Sequence, residues 1–220
     1  MLSYYDERAA EYEQAYIAGT GTSSISDRQV FISEAEVLAG VVGRFGHGHL
    51  VDLACGSGYW LRFYGPGCSR ITMIDQSRKM LAECEAKIRQ LDIANRCEVV
   101  QGDVLDYPFP AAAFDSALIG FLVSHLTEAQ EHRLFETLRA LLRPGATFLI
   151  LDSAWTDLRA RFNTKSGTQS RRLNNGDQFD VYKRYLDQGD IAGWSTRYGV
   201  DSHVEYFGRA LFAVSGRFTA

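Results

Sequence analysis

The segment Val51-Asp52-Leu53-Ala54-Cys55-Gly56-Ser57-Gly58 joins two glycines, a small residue and an acid in a form suited to holding a ligand against the main chain. An apolar run, HLVDLA, leads into it and a short helical pattern leads out, so the glycines fall where a strand turns into a helix. Glycine lets backbone approach a ligand closely. The helix start beyond it offers free N–H groups and a positive dipole end to a carboxylate or phosphate. Asp75 closes the next apolar run, RITMID, 23 residues beyond Asp52, where an acid accepts hydrogen bonds from neighbouring ribose hydroxyls. Asp103 closes the third, in QGDVLDYPF, placed to accept from an adenine amino group. Any one of these aspartates also reads as a cap or turn residue. Three in register at one sheet edge point to a nucleoside ligand.

Two other nucleotide chemistries are excluded by spacing. The dinucleotide fingerprint G-x-G-x-x-G needs glycine at position 61, where Leu61 stands after the bulky pair Tyr59-Trp60. A P-loop, G-x-x-x-x-G-K-[ST], does not occur.

The elements that must carry these residues follow from alternation of apolar runs and helical patterns. HLVDLA, RITMID, EVVQGD, FDSALIG and TFLILD read as strands, separated by a short helix after the glycine turn, a helix from Ser77 to about Leu91, and a helix from Thr127 to Leu142. Thr127 with Gln130 forms a capping box, and Arg143-Pro144-Gly145 a stop. Strands apolar along their length predict a parallel sheet covered by helices on both faces. Ahead of it, Tyr5, Ala9, Tyr12 and Tyr16 recur at helical spacing over residues 4 to 17, Gly19 to Ser26 break the pattern, and Ser26 N-caps a helix reaching Gly43 or Gly46. Beyond Asp152, Asn174-Asn175-Gly176-Asp177 signals a hairpin, Asp187 to Trp194 a short helical piece, and HVEYFGRALFAVSGRF two closing strands, antiparallel about Gly208.

Composition bounds the rest. The chain has 220 residues with 46% hydrophobic and 23% charged side chains, values of a folded domain rather than a disordered chain. A net charge of −4 gives no reason to expect nucleic acid or an anionic membrane as partner. Cys55, Cys68, Cys84 and Cys97 form no C-x-x-C pair, so reduced thiols and no metal are expected. No run of 18 apolar residues and no signal-peptide pattern occurs, which makes the cytoplasm the expected compartment.

Taken together, these segments resemble the class I S-adenosylmethionine-dependent methyltransferases, particularly their small-molecule branch. The likeness covers roughly residues 4 to 152: VDLACGSG is similar to that family's first motif, ITMIDQSRKML to its second, QGDVLDYPF to its third, FDSALIGFLVSHL to its fourth and LRPGATFLILD to the strand after it. The resemblance implies an α/β Rossmann-like class I fold. It would have a mostly parallel seven-stranded sheet with helices on both faces, an N-terminal helical lid and a C-terminal hairpin insertion. One domain would divide into N-terminal helices (1–46), a cofactor-binding core (47–152) and a substrate-facing remainder (153–220). S-adenosylmethionine is the implied cofactor and S-adenosylhomocysteine its product. Asp52, Ala54, Gly56 and Gly58 would line the methionine portion, Asp75 take the ribose, and Asp103 with the Val104 backbone take adenine. Gln76 and Met80 would flank the ring, and Gly120 and Phe121 approach the sulfonium. Ala54 departs from the family's frequent glycine. The opening YYDERAAEYEQAY resembles a helix that closes over the cofactor, with Tyr5 nearest the methionine and Tyr12 and Tyr16 equally readable as packing.

Methyl transfer from a sulfonium needs positioning more than a base. Where the acceptor carries a proton, His125 is the candidate general base, with packing or capping beside the following helix as the alternative. The proline-rich aromatic motif of DNA amino methyltransferases is replaced by Gly120-Phe121-Leu122-Val123, so a small-molecule acceptor is expected of a monomer or homodimer. Arg159, Arg161, Lys165, Arg171 and Arg172 form the one basic stretch, open to two readings: a solvated face, or a site for an anionic group on the substrate. A noncatalytic cofactor-binding partner or sensor remains the alternative function.

Overall fold

The computed structural model describes residues 2–18 and 28–219; the Gly19–Ser26 break and the Ser26 cap fall outside them. Helix α3 (Arg28–Phe45) precedes β1 (Gly48–Leu53), short α4 (Leu61–Tyr64), β2 (Cys68–Asp75), α5 (Arg78–Gln90) and β3 (Cys97–Gln101). Then come β4 (Phe114–Gly120), α6 (Glu128–Leu141) and β5 (Leu142–Ser153). The seven-stranded sheet has the order β3-β2-β1-β4-β5-β9-β8. Its first five strands pair in parallel, and β9 (Leu211–Phe218) runs antiparallel to both β5 and β8 (Val200–Phe207). The order reverses at β1, between β2 and β4, and such switch points open a crevice at the carboxyl ends of the strands.

The sheet's two faces bury separate apolar layers. Leu38 and Val42 of α3 join Leu50, Leu118 and Leu149 on one side, and Leu134, Phe135 and Trp194 join Val51, Ile119 and Ile150 on the other. The capping box expected at α6 forms, and the structure adds a second, through Asp187 and Asp190, at the helix read from Asp187. That helix, α8 (Gln188–Tyr198), continues beyond Trp194 until Gly199 ends it with φ +61°, a conformation glycine adopts without a Cβ penalty. A contact with no sequence signal fixes the β8–β9 turn. Buried Glu34 of α3 accepts hydrogen bonds from the N–H groups of Arg209, Ala210 and Leu211.

Three details differ from the sequence reading. The single helix over 4–17 is instead α1 (Leu2–Arg8), a 3-10 turn and α2 (Gln14–Ala18). The break lets its tyrosines serve different neighbours: Tyr4 packs with Leu173 and Val181, while Tyr16 stacks on Tyr59 at 4.3 Å. Helix α3 runs through Gly43, the first of the two expected stops, and ends at Phe45, immediately before the second, Gly46. Arg143-Pro144-Gly145 lies within β5, where the pairing with β4 shifts register. The hairpin insertion forms as β6 (Ser166–Arg172) and β7 (Gln178–Arg184), a separate two-stranded sheet. Its inner face packs on α1. Among the described residues no helix is long and apolar enough to cross a membrane.

Candidate active site

Two adjoining cavities sit at the carboxyl edge of the parallel strands, beneath α1 and the hairpin. The first encloses about 870 Å³ free of protein atoms. Tyr5, Ala54, Gly56, Asp75, Gln76, Met80, Asp103, Val104, Gly120, Phe121 and His125 all line it. The strand ends thus converge as their register requires, because Leu53 pairs with both Ile74 and Ile119.

Asp75 ties the floor together. Its Oδ2 accepts from the Gly56 N–H at 2.9 Å and its Oδ1 from the Ser77 N–H at 2.8 Å. Burial pushes its carboxyl above the usual range, opposed by those two donors. Each oxygen keeps a further lone pair for a ligand hydroxyl. Asp103 Oδ1 accepts from Leu105 N–H at 2.9 Å, which folds the loop after β3 under the cavity.

Asp52 and Gly58, expected at the methionine portion, line neither cavity. Asp52 is 2% exposed and turns beneath α4, where the Tyr64 hydroxyl donates to it at 2.7 Å. Burial pushes this carboxyl up to about 7. Gly58 (φ +74°) serves packing, since a Cβ there would lie 3.0 Å from Cys84 Sγ on α5. The glycine pattern therefore carries two jobs, with Gly56 (φ +54°) alone at the cavity under the Tyr12 ring.

Two non-glycine residues on the cavity wall hold left-handed backbone, Ala54 at φ +60° and Phe121 at φ +58°, a conformation that costs such residues roughly 1–2 kcal/mol. Phe121 is held there by an N–H bond to Leu151 O at 2.7 Å and by stacking on Trp60. At Ala54 the departure from glycine thus carries strain as well as an extra methyl group. Ala54→Gly is expected to stabilise the fold by about 0.5–1 kcal/mol, relief of strain exceeding the added flexibility of the unfolded chain. Thermal denaturation should show a melting point higher by roughly 1–4 °C; a decrease would mean that the methyl group packs productively.

His125 sits between the cavities and lines both. Its Nδ1 is 2.9 Å from the Tyr182 carbonyl and its Nε2 2.9 Å from the Tyr5 hydroxyl. A carbonyl only accepts, so Nδ1 carries the proton and the Tyr5 hydroxyl donates to Nε2. Burial and then the Lys183 ammonium, whose Nζ is 3.5 Å from Nε2, hold the imidazole well below its ordinary range. It is therefore neutral and weakly basic, and the cap of α6 is Thr127 instead.

The second cavity has about 630 Å³ of space and shares Tyr5, Tyr12, Phe121 and His125 with the first. Tyr12 thus contributes to both cavities, while Tyr16 lines only the second and is buried against Tyr59. The basic stretch divides. Arg159 and Arg171 face this cavity, Lys165 pairs with Asp187 and Asp190, and Arg161 and Arg172 are exposed. Arg8 and Lys183, which sequence reasoning missed, also line it. The available signal was period-two alternation in QFDVYKR: Val181 and Lys183 are buried on one face of β7.

Residues 50–145 match the model of the methyltransferase domain. That stretch, somewhat under half of the chain, is similar to methyltransferase domains. The chain is 31% identical to the demethylmenaquinone methyltransferase of Lactiplantibacillus plantarum over 114 residues, covering 50% of this chain and 46% of that protein. It is also 31% identical to the 2-phytyl-1,4-naphtoquinone methyltransferase of Synechococcus elongatus over 106 residues, covering 47% and 45%. The matched part spans less than half the length of these relatives. Among solved structures, the domain superposes on DhpI in complex with S-adenosylhomocysteine with a TM-score of 0.75, 22% identity and coverage of 98% and 94%. The glycopeptide N-methyltransferase MtfA in complex with S-adenosylmethionine gives 0.61, 20% identity and coverage of 85% and 93%. The family model thus matches residues 50–145, while the similarity in fold extends over nearly all of the chain.

Proposed function

We propose that this chain binds S-adenosylmethionine in the first cavity and transfers its methyl group to a small molecule held in the second. The observation that carries this reading is the convergence of Asp75, the Ala54–Gly56 turn and Asp103 on one cavity that opens, past Tyr5 and His125, onto another. The residues fit the cofactor. A half-buried acid with spare acceptor capacity stands at the ribose position, Met80 and Val104 offer apolar walls to a purine, and the turn brings backbone close where a methionine chain would lie. When bound, S-adenosylmethionine supplies a methyl group already activated by a sulfonium. The protein's own contribution is then alignment and exclusion of water. Tyr5, fixed by its bond to His125, and Phe121, fixed by its strained turn, form the wall between the cavities. His125 Nε2 accepts from the Tyr5 hydroxyl at that wall, and its low basicity suits an acceptor that arrives ionised and needs no base. Four free thiols suit a reducing compartment, the cytoplasm.

Isothermal calorimetry should show one equivalent of S-adenosylhomocysteine bound, and no binding of NAD or NADP at the same concentrations, since Leu61 stands where a dinucleotide turn needs glycine. Dinucleotide binding with no response to S-adenosylhomocysteine would overturn the reading.

A further inference from the structure

The second cavity is strongly cationic. Arg8 of α1, Arg159 of α7 (Asp157–Ala160), Arg171 of β6 and Lys183 of β7 all line it, and among the described residues no acidic side chain does. Four separate elements aim positive charge at one space, and two of the groups are deeply buried, Arg159 at 3% and Lys183 at 7% exposure. Burying cations is costly unless something compensates them. The compensation present is mostly neutral: Arg8 donates to the Tyr4 hydroxyl, Arg159 to the carbonyls of Ala154 and Ala210, and Lys183 to Ser124 Oγ. Arg171 donates to Gln169 Oε1 among its contacts. The carboxylate facing Lys183, Asp152, lies 3.7 Å from it and already accepts from the N–H groups of Ser124 and Ser153. Among the described residues that line the cavity, four are basic and none is acidic.

We infer that the methyl acceptor carries an oxyanion, a carboxylate or a phosphoryl-type group, and that Arg171 and Lys183 bind it, with Arg8 and Arg159 adding to the field. The inference rests on reading the first cavity as the cofactor site. The hairpin register supports the pairing of these donors: Arg171 lies opposite Phe179, and Lys183 opposite Gly167, on the inner face that meets Tyr4 and Tyr5. A guanidinium fork and an ammonium at one pocket suit a group with two or three oxygens. A neutral quinol with a long apolar tail, of the kind named for the relatives matched over the core, makes no use of this charge.

The test titrates the full chain, with and without saturating S-adenosylhomocysteine, against benzoate as carboxylate probe, inorganic phosphate as phosphoryl probe and neutral 1,4-naphthohydroquinone. One of the two anions should bind, identifying the group, and Arg171→Gln should weaken it at least tenfold with S-adenosylhomocysteine affinity unchanged, Arg171→Lys restoring part of the loss. Arg172→Gln, on the exposed face beside it, should change nothing. Lys183 faces Asp152 on β5, Arg171 on β6, Arg159 on α7, and also His125 and Tyr185, and burial lowers its ammonium to about 8. Benzoate affinity should therefore fall as pH rises through that value, the anion itself staying charged throughout. Bound S-adenosylhomocysteine with neither anion bound, or with the hydroquinone alone bound, overturns the oxyanion site and leaves the cofactor reading standing. An Arg171-dependent anion bound by a protein that ignores S-adenosylhomocysteine supports the oxyanion site and overturns the cofactor reading.

Discussion

Asp75→Ala should weaken S-adenosylhomocysteine binding by roughly 10- to 100-fold, about 1.5–3 kcal/mol, because charge-assisted hydrogen bonds to two ribose hydroxyls are lost. The structure adds a second reason. Both carboxylate oxygens hold backbone N–H groups, those of Gly56 and Ser77, so the substitution also loosens the turn that meets the ligand. The two contributions separate with Asp75→Asn, whose single carbonyl oxygen keeps one of these bonds but not the charge. Its affinity should fall between those of the wild type and the alanine variant. Asp103→Ala should cost less, since Asp103 sits at the cavity rim with one oxygen engaged by Leu105 N–H. Calorimetry of the three variants, with melting curves to confirm folding, decides the matter. An affinity for Asp75→Ala within twofold of wild type would leave Asp75 a turn residue and remove it from the ligand site.

The parallel half of the sheet was legible because each strand is a short apolar run ending in a turn residue, and because local chemistry sets the helix ends, as at Thr127-Gln130. The acids at the ends of β2 and β3 were legible for the same reason: a parallel sheet brings its carboxyl ends together whatever the details of packing. Asp52 and Gly58 line neither cavity, and a motif read along the chain does not distinguish a side chain facing a cavity from one facing the helix behind it. Only the positions of Tyr64 and Cys84 decide that. The second cavity was legible only in part, through Arg159 and Arg171 of the basic stretch, for a different reason. Arg8, Arg171 and Lys183 come from α1 and two hairpin strands, and their meeting depends on how the hairpin docks on α1 through Tyr4, Leu173 and Val181. Such long-range packing leaves no local spacing to read. His125 stands between the cases: its place after β4 was legible, but its neutral state depends on Lys183, 58 residues away.

The N-terminal segment was expected to be a lid tethered only through the stretch that follows it, and the structure shows more ties than that. Asp6 accepts from Ser77 Oγ at 2.6 Å, Glu13 accepts from Ser57 Oγ at 2.8 Å and pairs with Lys87 at 2.7 Å, and Glu11 accepts from Asn174 N–H. Tyr5 closes on His125, and Arg8 and Tyr12 line the cavity walls. Beside these polar ties stand the buried Tyr4, Ala15 and Tyr16, but α1 and α2 are only seven and five residues long, too short to be stable unpacked. We therefore expect the segment to open and close in solution and to be held shut by ligand. S-adenosylhomocysteine should slow amide exchange over residues 2–18 more than over β1 or β4. Removing residues 1–18 takes away the Tyr5 and Tyr12 walls, so ligand dissociation should accelerate at least tenfold with the circular dichroism of the sheet retained. Tyr5→Phe in the full chain should produce part of that acceleration, by breaking the bond to His125 while keeping the ring that packs on Tyr4. Equal exchange with and without ligand, together with an unchanged dissociation rate after truncation, would make the segment a fixed part of the wall and return Tyr5 to ordinary packing.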